Sequence, residues 1–173
     1  MTFRFAELKA KLPPFLLTLG VIAADQLSKL IVVRTLPLAR PVQVIGDFLR
    51  LTYVTNPVIA FSIGRNLPAT GRQILALVLP LIVIGILVYY QLFSPEIGRR
   101  QRWLLAAIIG GGLGNYLDRL FRSQGVVDFI DVRFYGLLGF ERWPTFNLAD
   151  SCVVVAGILL IISYFRATRK EKT

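Results

Sequence analysis

Hydrophobic positions along this chain gather into four long runs, covering residues 12–33, 73–93, 103–121 and 146–165. A hydrocarbon core about 30 Å thick is crossed by roughly 20 helical residues, so each run is long enough to span a bilayer. The first run continues past Asp25 and Lys29 to Val33 and contains no convincing small-x-small cleavage site. It therefore reads as a retained helix rather than a cleaved leader. Between the runs the pattern changes. Pro37, Pro41, Pro57 and Pro68 break any long helix in 34–72. The stretch VQVIGDFLRLTYVT at 42–55 is rich in β-branched and aromatic residues and predicts a small sheet. Residues 60–65 predict a short interfacial helix, 96–102 a short basic loop carrying Arg99, Arg100 and Arg102, and 122–145 a second long loop with Gly125, Gly136, Gly139 and Pro144. Within the runs, Pro80 is a candidate kink, and Gly110, Gly111, Gly112 and Gly114 offer a small-residue face for close helix contact. The expected fold is an all-α membrane protein, a four-transmembrane-helix bundle with a small extramembrane β-sheet on its outer face, in one domain spanning 1–173.

Composition agrees with this pattern. Hydrophobic residues make up 55% of the 173 and charged residues only 17%, with a mean hydropathy of +0.63. A soluble domain carries about 25% charged residues. The net charge of +10 lies mostly beside the apolar runs, where topology and lipid headgroups account for it and no nucleic-acid partner is needed. Lys and Arg are dense at the N-terminus, in 96–102 and in the C-terminal tail with Arg166, Arg169, Lys170 and Lys172. The positive-inside rule then puts both termini in the cytoplasm and the loops 34–72 and 122–145 outside. The chain has no histidine, which excludes Ser-His-Asp and Cys-His catalysis and His-ligated zinc. Its single cysteine, Cys152, lies in an apolar run and reads as a packing residue.

This topology brings the intramembrane polar groups to one level. Asp25 and Lys29 fall in the outer half of the first helix, Asn115, Asp118 and Arg119 at the outer end of the third, and Asn147 and Asp150 in the first turns of the fourth. Asn56 and Asp128 lie in the outer loops. Ionisable groups in a membrane are costly and usually mark a functional site. Asp25 and Lys29, four apart in acid-first order, read as a structural ion pair, with Gln26 and Ser28 on other faces. Asn115, Asp118 and Arg119 read as support, Arg119 being able to hold a carboxylate in a two-pronged grip. Asp128, in the apolar stretch VVDF, and Asp150, in FNLADS, can form a pair in which one carboxyl keeps a proton and the other acts as base. That pair suits activation of water against an amide. Asp131 is a rival for Asp128, three residues on and on the opposite face of a strand. Spacing alone does not choose between them.

The motifs DQLSK at 25–29, NPVIAFS at 56–62, GGGLGNYLDR at 110–119, VVDF at 126–129 and FNLADS at 146–151 occur in the order and spacing of one family. The chain resembles the lipoprotein signal peptidases (signal peptidase II), membrane aspartyl peptidases of bacteria. The resemblance implies Asp128 and Asp150 as the catalytic dyad and Asp25, Lys29, Asn56, Asn115, Asp118, Arg119 and Asn147 as supporting residues. It implies removal of signal peptides from prolipoproteins just before a diacylglyceryl-modified cysteine, in the cytoplasmic (inner) membrane among membrane lipids, with no metal or cofactor. One departure stands out. Where the family usually has Asn-x-Gly, this chain has Asn56-Pro57-Val58, and a β-branched residue is strained at positive φ. The loop is therefore expected to take another shape.

Two readings from other classes make different demands. A small proton-coupled transporter would place polar groups along a path through both leaflets, whereas here they gather on the outer side. A scaffold using the glycine-rich helix for packing would tolerate loss of both aspartates.

Overall fold

The computed structural model describes residues 9, 11–57 and 68–170. Val58 and residues 60–65, and with them the expected short helix and the shape of the Asn56-Pro57-Val58 loop, lie outside the described residues.

Among the described residues, four long helices and three strands follow one another as α1 (Pro14–Thr35), β1 (Val42–Ile45), β2 (Leu49–Asn56), α2 (Ala69–Phe93), α3 (Arg99–Phe121), β3 (Val126–Val132) and α4 (Leu148–Lys170), with a short 3-10 turn at Leu137–Gly139. Three described segments are long and apolar enough to cross a membrane: Pro14–Thr35, Gln73–Phe93 and Leu148–Arg166. Helix α3 has 23 residues, enough for ~34 Å. Its arginines, Asn115 and Asp118 leave it less apolar than the other three. It can carry them because it lies at the centre, packed against α1, α2 and α4, so protein covers much of its surface.

Several boundaries differ from the sequence expectation. The basic loop 96–102 is shorter than expected, because α3 starts at Arg99, after the Gly98 N–H donates to Gln101 Oε1 at 2.9 Å. Arg102 then lies in the first turns and folds back, donating to the carbonyls of Gln91 and Ser94. These carbonyls sit at the end of α2, where cations suit the helix dipole. Helix α2 runs unbroken through Pro80. At the C-terminus, α4 extends through Arg166 to Lys170, so these basic residues form its last turns rather than a separate tail.

Helix α1 buries Pro14, Thr18, Val21, Asp25, Lys29 and Val32, a stripe at three- and four-residue spacing that faces its neighbours. The glycines of α3 do not share one face, as the sequence suggested. A Cβ on Gly110 would meet Val21 of α1, one on Gly111 would sit 2.5 Å from Ala149 O of α4, and one on Gly112 would touch only Ile84 of α2 at 3.4 Å. Gly111 thus lets the α3 and α4 backbones come into direct contact, a close approach that small residues allow. Gly114 makes room for the Asp25 carboxylate, 2.6 Å from its missing Cβ.

The sheet is antiparallel in the order β1-β2-β3. The expected strand region 42–55 supplies β1 and β2. The third strand comes from within the stretch read as a loop, where VVDFIDV pairs with β2 from Leu49↔Val132 to Asn56↔Val126. Its Val127 and Phe129 pack with Val32 at the end of α1. Alternation then turns Asp128 to the other face.

Candidate active site

Each candidate aspartate is placed by a different element. Phe146 pairs with β3, its carbonyl accepting the N–H groups of Phe129 and Ile130 at 3.0 and 2.7 Å. This short antiparallel bridge lays Asn147 beside Asp128. Asn147 then starts α4. Its Oδ1 accepts the Asp150 N–H at 2.9 Å, and Asp150 Oδ2 accepts the Asn147 N–H at 3.2 Å. This is a reciprocal cap of the kind that satisfies exposed donors at a helix start. Asn147 is therefore the cap, one residue before the helix rather than inside its first turn. The same cap orients the Asp150 carboxylate.

The fully buried amide of Asn147 joins the two acids. Its Nδ2 donates to Asp128 Oδ1 at 2.7 Å, to Asn115 Oδ1 at 2.9 Å and to Val127 O at 3.3 Å. Asn115 Nδ2 donates to Asp150 Oδ1 at 2.7 Å, and Asn56 Nδ2 to Asp128 Oδ2 at 3.2 Å. Asp128 and Asp150 thus both hydrogen-bond one residue, Asn147. The Asp128 carboxyl is pushed up to about 6, first by burial and then by the neighbouring Asp150 charge, against the opposing pull of Asn56, Asn147 and Lys29.

A second pair of carboxylates holds the first in place. Asp25 Oδ1 accepts the N–H of Ala149, the residue before Asp150, at 3.1 Å. Asp118 Oδ2 accepts the N–H of Val127, the residue before Asp128, at 3.1 Å. Lys29 ties both supports together. Its Nζ lies 2.8 Å from Asp25 Oδ2 and 2.9 Å from Asp118 Oδ2, and it donates to Asn115 Oδ1 at 2.9 Å. Asp25 and Lys29 are fully buried and Asp118 nearly so. Such an ion cluster is held by its completeness, since losing one member leaves a buried charge unmatched.

Two expectations change. Gln26, expected on another face, reaches into this cluster, its Nε2 donating to Gly114 O at 3.0 Å, Asp118 Oδ1 at 3.1 Å and Asp25 Oδ2 at 3.2 Å. A long flexible side chain covers the angle that a short one at that position would not. Arg119 does not grip a carboxylate with two prongs. Its Nη1 donates to Asn115 O at 3.3 Å, one turn back on its own helix, while its charge faces Asp150 and Asp128 at longer range. Arg122, not singled out from the sequence, is the arginine that holds Asp118, Nε to Oδ1 at 3.0 Å. The i,i+4 spacing from Asp118 was the available signal. Asp131 lies on the other face of β3 and pairs with Arg142 at 2.6 Å, so it does not share the Asn147 amide. A separate cleft of about 230 Å³ between Tyr53, Thr55, Phe121, Arg122 and Gln124 contains neither aspartate.

A protein-family model for signal peptidase (SPase) II matches residues 17–166. The lipoprotein signal peptidase of Treponema denticola is 47% identical over 159 residues, covering 92% of each chain. That of Treponema pallidum is 42% identical over 151 residues, 87% of this chain and 81% of that one. A solved structure of a bacterial membrane enzyme superposes with a TM-score of 0.76 at 29% identity, covering 90% of this chain and 88% of the other.

Proposed function

The chain belongs to the signal peptidase II family of aspartic peptidases, membrane enzymes that remove signal peptides from prolipoproteins, and on that premise we propose that Asp128 and Asp150 are its catalytic pair. The observation that carries this reading is Asn147, whose side-chain amide donates to Asp128 while its backbone N–H donates to Asp150. In the proposed reaction, Asp150 takes a proton from a water whose oxygen attacks the carbonyl carbon of the scissile amide. Asp128, whose protonated form is favoured by burial, gives a proton to the carbonyl oxygen. The tetrahedral carbon collapses as the C–N bond breaks: the proton taken up by Asp150 passes to the leaving amine, and one hydroxyl proton returns to Asp128 as the new carbonyl forms. The assignment of roles follows from surroundings. Asp128 sits in a buried strand that favours its neutral form, and Asp150 lies at the start of α4, where the helix dipole suits a negative charge.

The remaining residues hold this pair. Asn56, Asn115 and Asn147 donate to its oxygens, Asp25 and Asp118 fix the backbone before each aspartate, and Lys29 links the two supports. Arg119 adds positive charge close to the pair. The whole chain, 1–173, forms one domain with α1 to α4 all spanning the cytoplasmic (inner) membrane, both termini in the cytoplasm and the sheet and dyad at the outer leaflet. The substrate's signal helix enters from the bilayer, its diacylglyceryl chains remain among membrane lipids, and cleavage falls just before the lipidated cysteine. Incubation with a diacylglyceryl-modified precursor, followed by mass spectrometry, tests this. The expected product begins at the modified cysteine, and the unmodified precursor is cut far more slowly. Cleavage elsewhere, or equal cleavage of the unmodified precursor, contradicts the substrate assignment.

A further inference from the structure

Between β3 and α4 the chain makes a finger that none of the proposed chemistry uses. Its two sides are tied by backbone bonds: Trp143 N–H to Val132 O at 2.9 Å, Phe134 N–H to Glu141 O at 2.9 Å and Gly136 N–H to Phe140 O at 3.0 Å. The turn at its end is closed by Leu137 N–H to Phe134 O and Phe140 N–H to Leu137 O. The end of the finger is therefore a fixed structure, and it is apolar. Tyr135, Leu137 and Leu138 are 63%, 61% and 74% exposed, and Phe140 and Trp143 meet edge to face beside them in the chain.

Two of these side chains occupy costly conformations. Tyr135 (φ 51) and Leu138 (φ 54) lie in the left-handed region, beside Gly136 and Gly139, which adopt it readily. A leucine that accepts this strain at a largely exposed tip gains nothing from packing within the chain. Strain of this kind points to a role outside the fold.

The base of the finger is charged. Arg133 pairs with Glu141 and Asp47, Arg142 with Asp131 and Asp47, and Arg133 stacks over the Tyr135 ring at 4.9 Å. The order is thus apolar tip, aromatic middle and charged base, the order of a segment that crosses from acyl chains to headgroups. Trp143 is five residues before Leu148, so the finger base lies within roughly 17 Å of the start of a spanning helix. Helix α4 itself presents exposed Val154, Val155 and Ile158, the apolar surface expected of a helix that faces acyl chains.

We propose that residues 134–143 form a lipid-inserted finger, with Leu137 and Leu138 among the acyl chains of the adjacent leaflet and the Arg133/Arg142 cluster at headgroup level. The partner is the bilayer itself, and the finger steadies β3, and with it Asp128, against the membrane surface.

The test uses the full chain in vesicles of phosphatidylethanolamine and phosphatidylglycerol. An environment-sensitive fluorophore is attached through Leu138→Cys in a Cys152→Ser background. The expected result is blue-shifted emission, quenched roughly twofold or more by lipids carrying a nitroxide on the acyl chain, and little affected by aqueous iodide. Water-like emission quenched by iodide overturns the proposal. So does a dry probe that acyl-chain nitroxides leave bright, since a second copy or another polypeptide would then cover the tip. A second measurement leaves the tip unlabelled. In a Trp103→Phe background Trp143 is the sole tryptophan, and Leu137→Ser/Leu138→Gly should weaken its quenching by nitroxide lipids while thermal unfolding in detergent stays unchanged. Unchanged quenching in that variant also contradicts insertion.

Discussion

Replacing Lys29 with methionine tests whether the buried ion cluster is a support that depends on its own completeness. Lys29 is fully buried, and its ammonium is shared by Asp25, Asp118 and Asn115 at 2.8–2.9 Å. Methionine fills most of the space but leaves the charges unmatched. Asp118 retains Arg122 and the Val127 N–H, so the loss falls mainly on Asp25. Breaking a buried pair by removing one partner costs about 3–5 kcal/mol. For a chain of this size that corresponds to a fall in Tm of about 6–20 °C. Thermal unfolding of the purified protein in detergent, followed by tryptophan fluorescence, reads this directly. The double variant Lys29→Met/Asp25→Asn removes the stranded charge while the new amide oxygen can still accept the Ala149 N–H, so it should regain about half of the loss. The fraction of Lys29→Met that stays folded should also cleave more slowly, because Asn115 Oδ1 loses one of the two donors that orient its amide toward Asp150. A Lys29→Met protein with the wild-type Tm, or a double variant worse than either single change, would refute this account of the cluster.

Other outcomes follow from the same geometry. The raised Asp128 carboxyl makes stability depend on pH: its contribution is fully present below the ordinary value of 3.8 and is lost as pH rises through about 6. Wild-type stability should therefore fall by up to about 3 kcal/mol from acid to neutral pH through this group, and Asp128→Asn should flatten that slope while abolishing cleavage. An unaltered slope in the variant would place the effect elsewhere. Gly111→Ala forces a methyl against Ala149 O and should cost about 1–3 kcal/mol together with activity. Gly112→Ala meets only Ile84 and should be neutral or slightly stabilising, so equal effects would argue against direct α3–α4 contact. Asn147→Ala removes the α4 cap, worth about 1 kcal/mol, along with the link to Asp128, and should lower kcat more than it raises KM.

How much of this was readable in the chain differs from part to part. The helices were legible because an apolar run of bilayer length seldom folds as anything but a spanning helix. The start of α3 was missed because Arg99, Arg100 and Arg102 read as loop, whereas Arg102 turns back onto the carbonyls that end α2. Strand β3 was hidden for the opposite reason: both faces of VVDF are covered, the Val127 and Phe129 face by α1 and the Asp128 face by the Asn147 segment, so no apolar–polar alternation marks it. That the polar groups gather in one place was accessible from topology, but their partners were not. That Asp25 holds Ala149 and Asp118 holds Val127 depends on backbone donors, which carry no residue-type signal. Gln26 was misplaced because counting by helical face neglects the reach of a long side chain.

The central claim is that two aspartates act as one unit, and the direct measurement is kcat/KM on a lipidated precursor for Asp128→Asn, Asp150→Asn and the double variant. Residues that work together are strongly non-additive, so each single change should reduce cleavage nearly to the level of the double. Wild-type turnover by either single variant, or a double variant whose loss is the product of two modest ones, would contradict it.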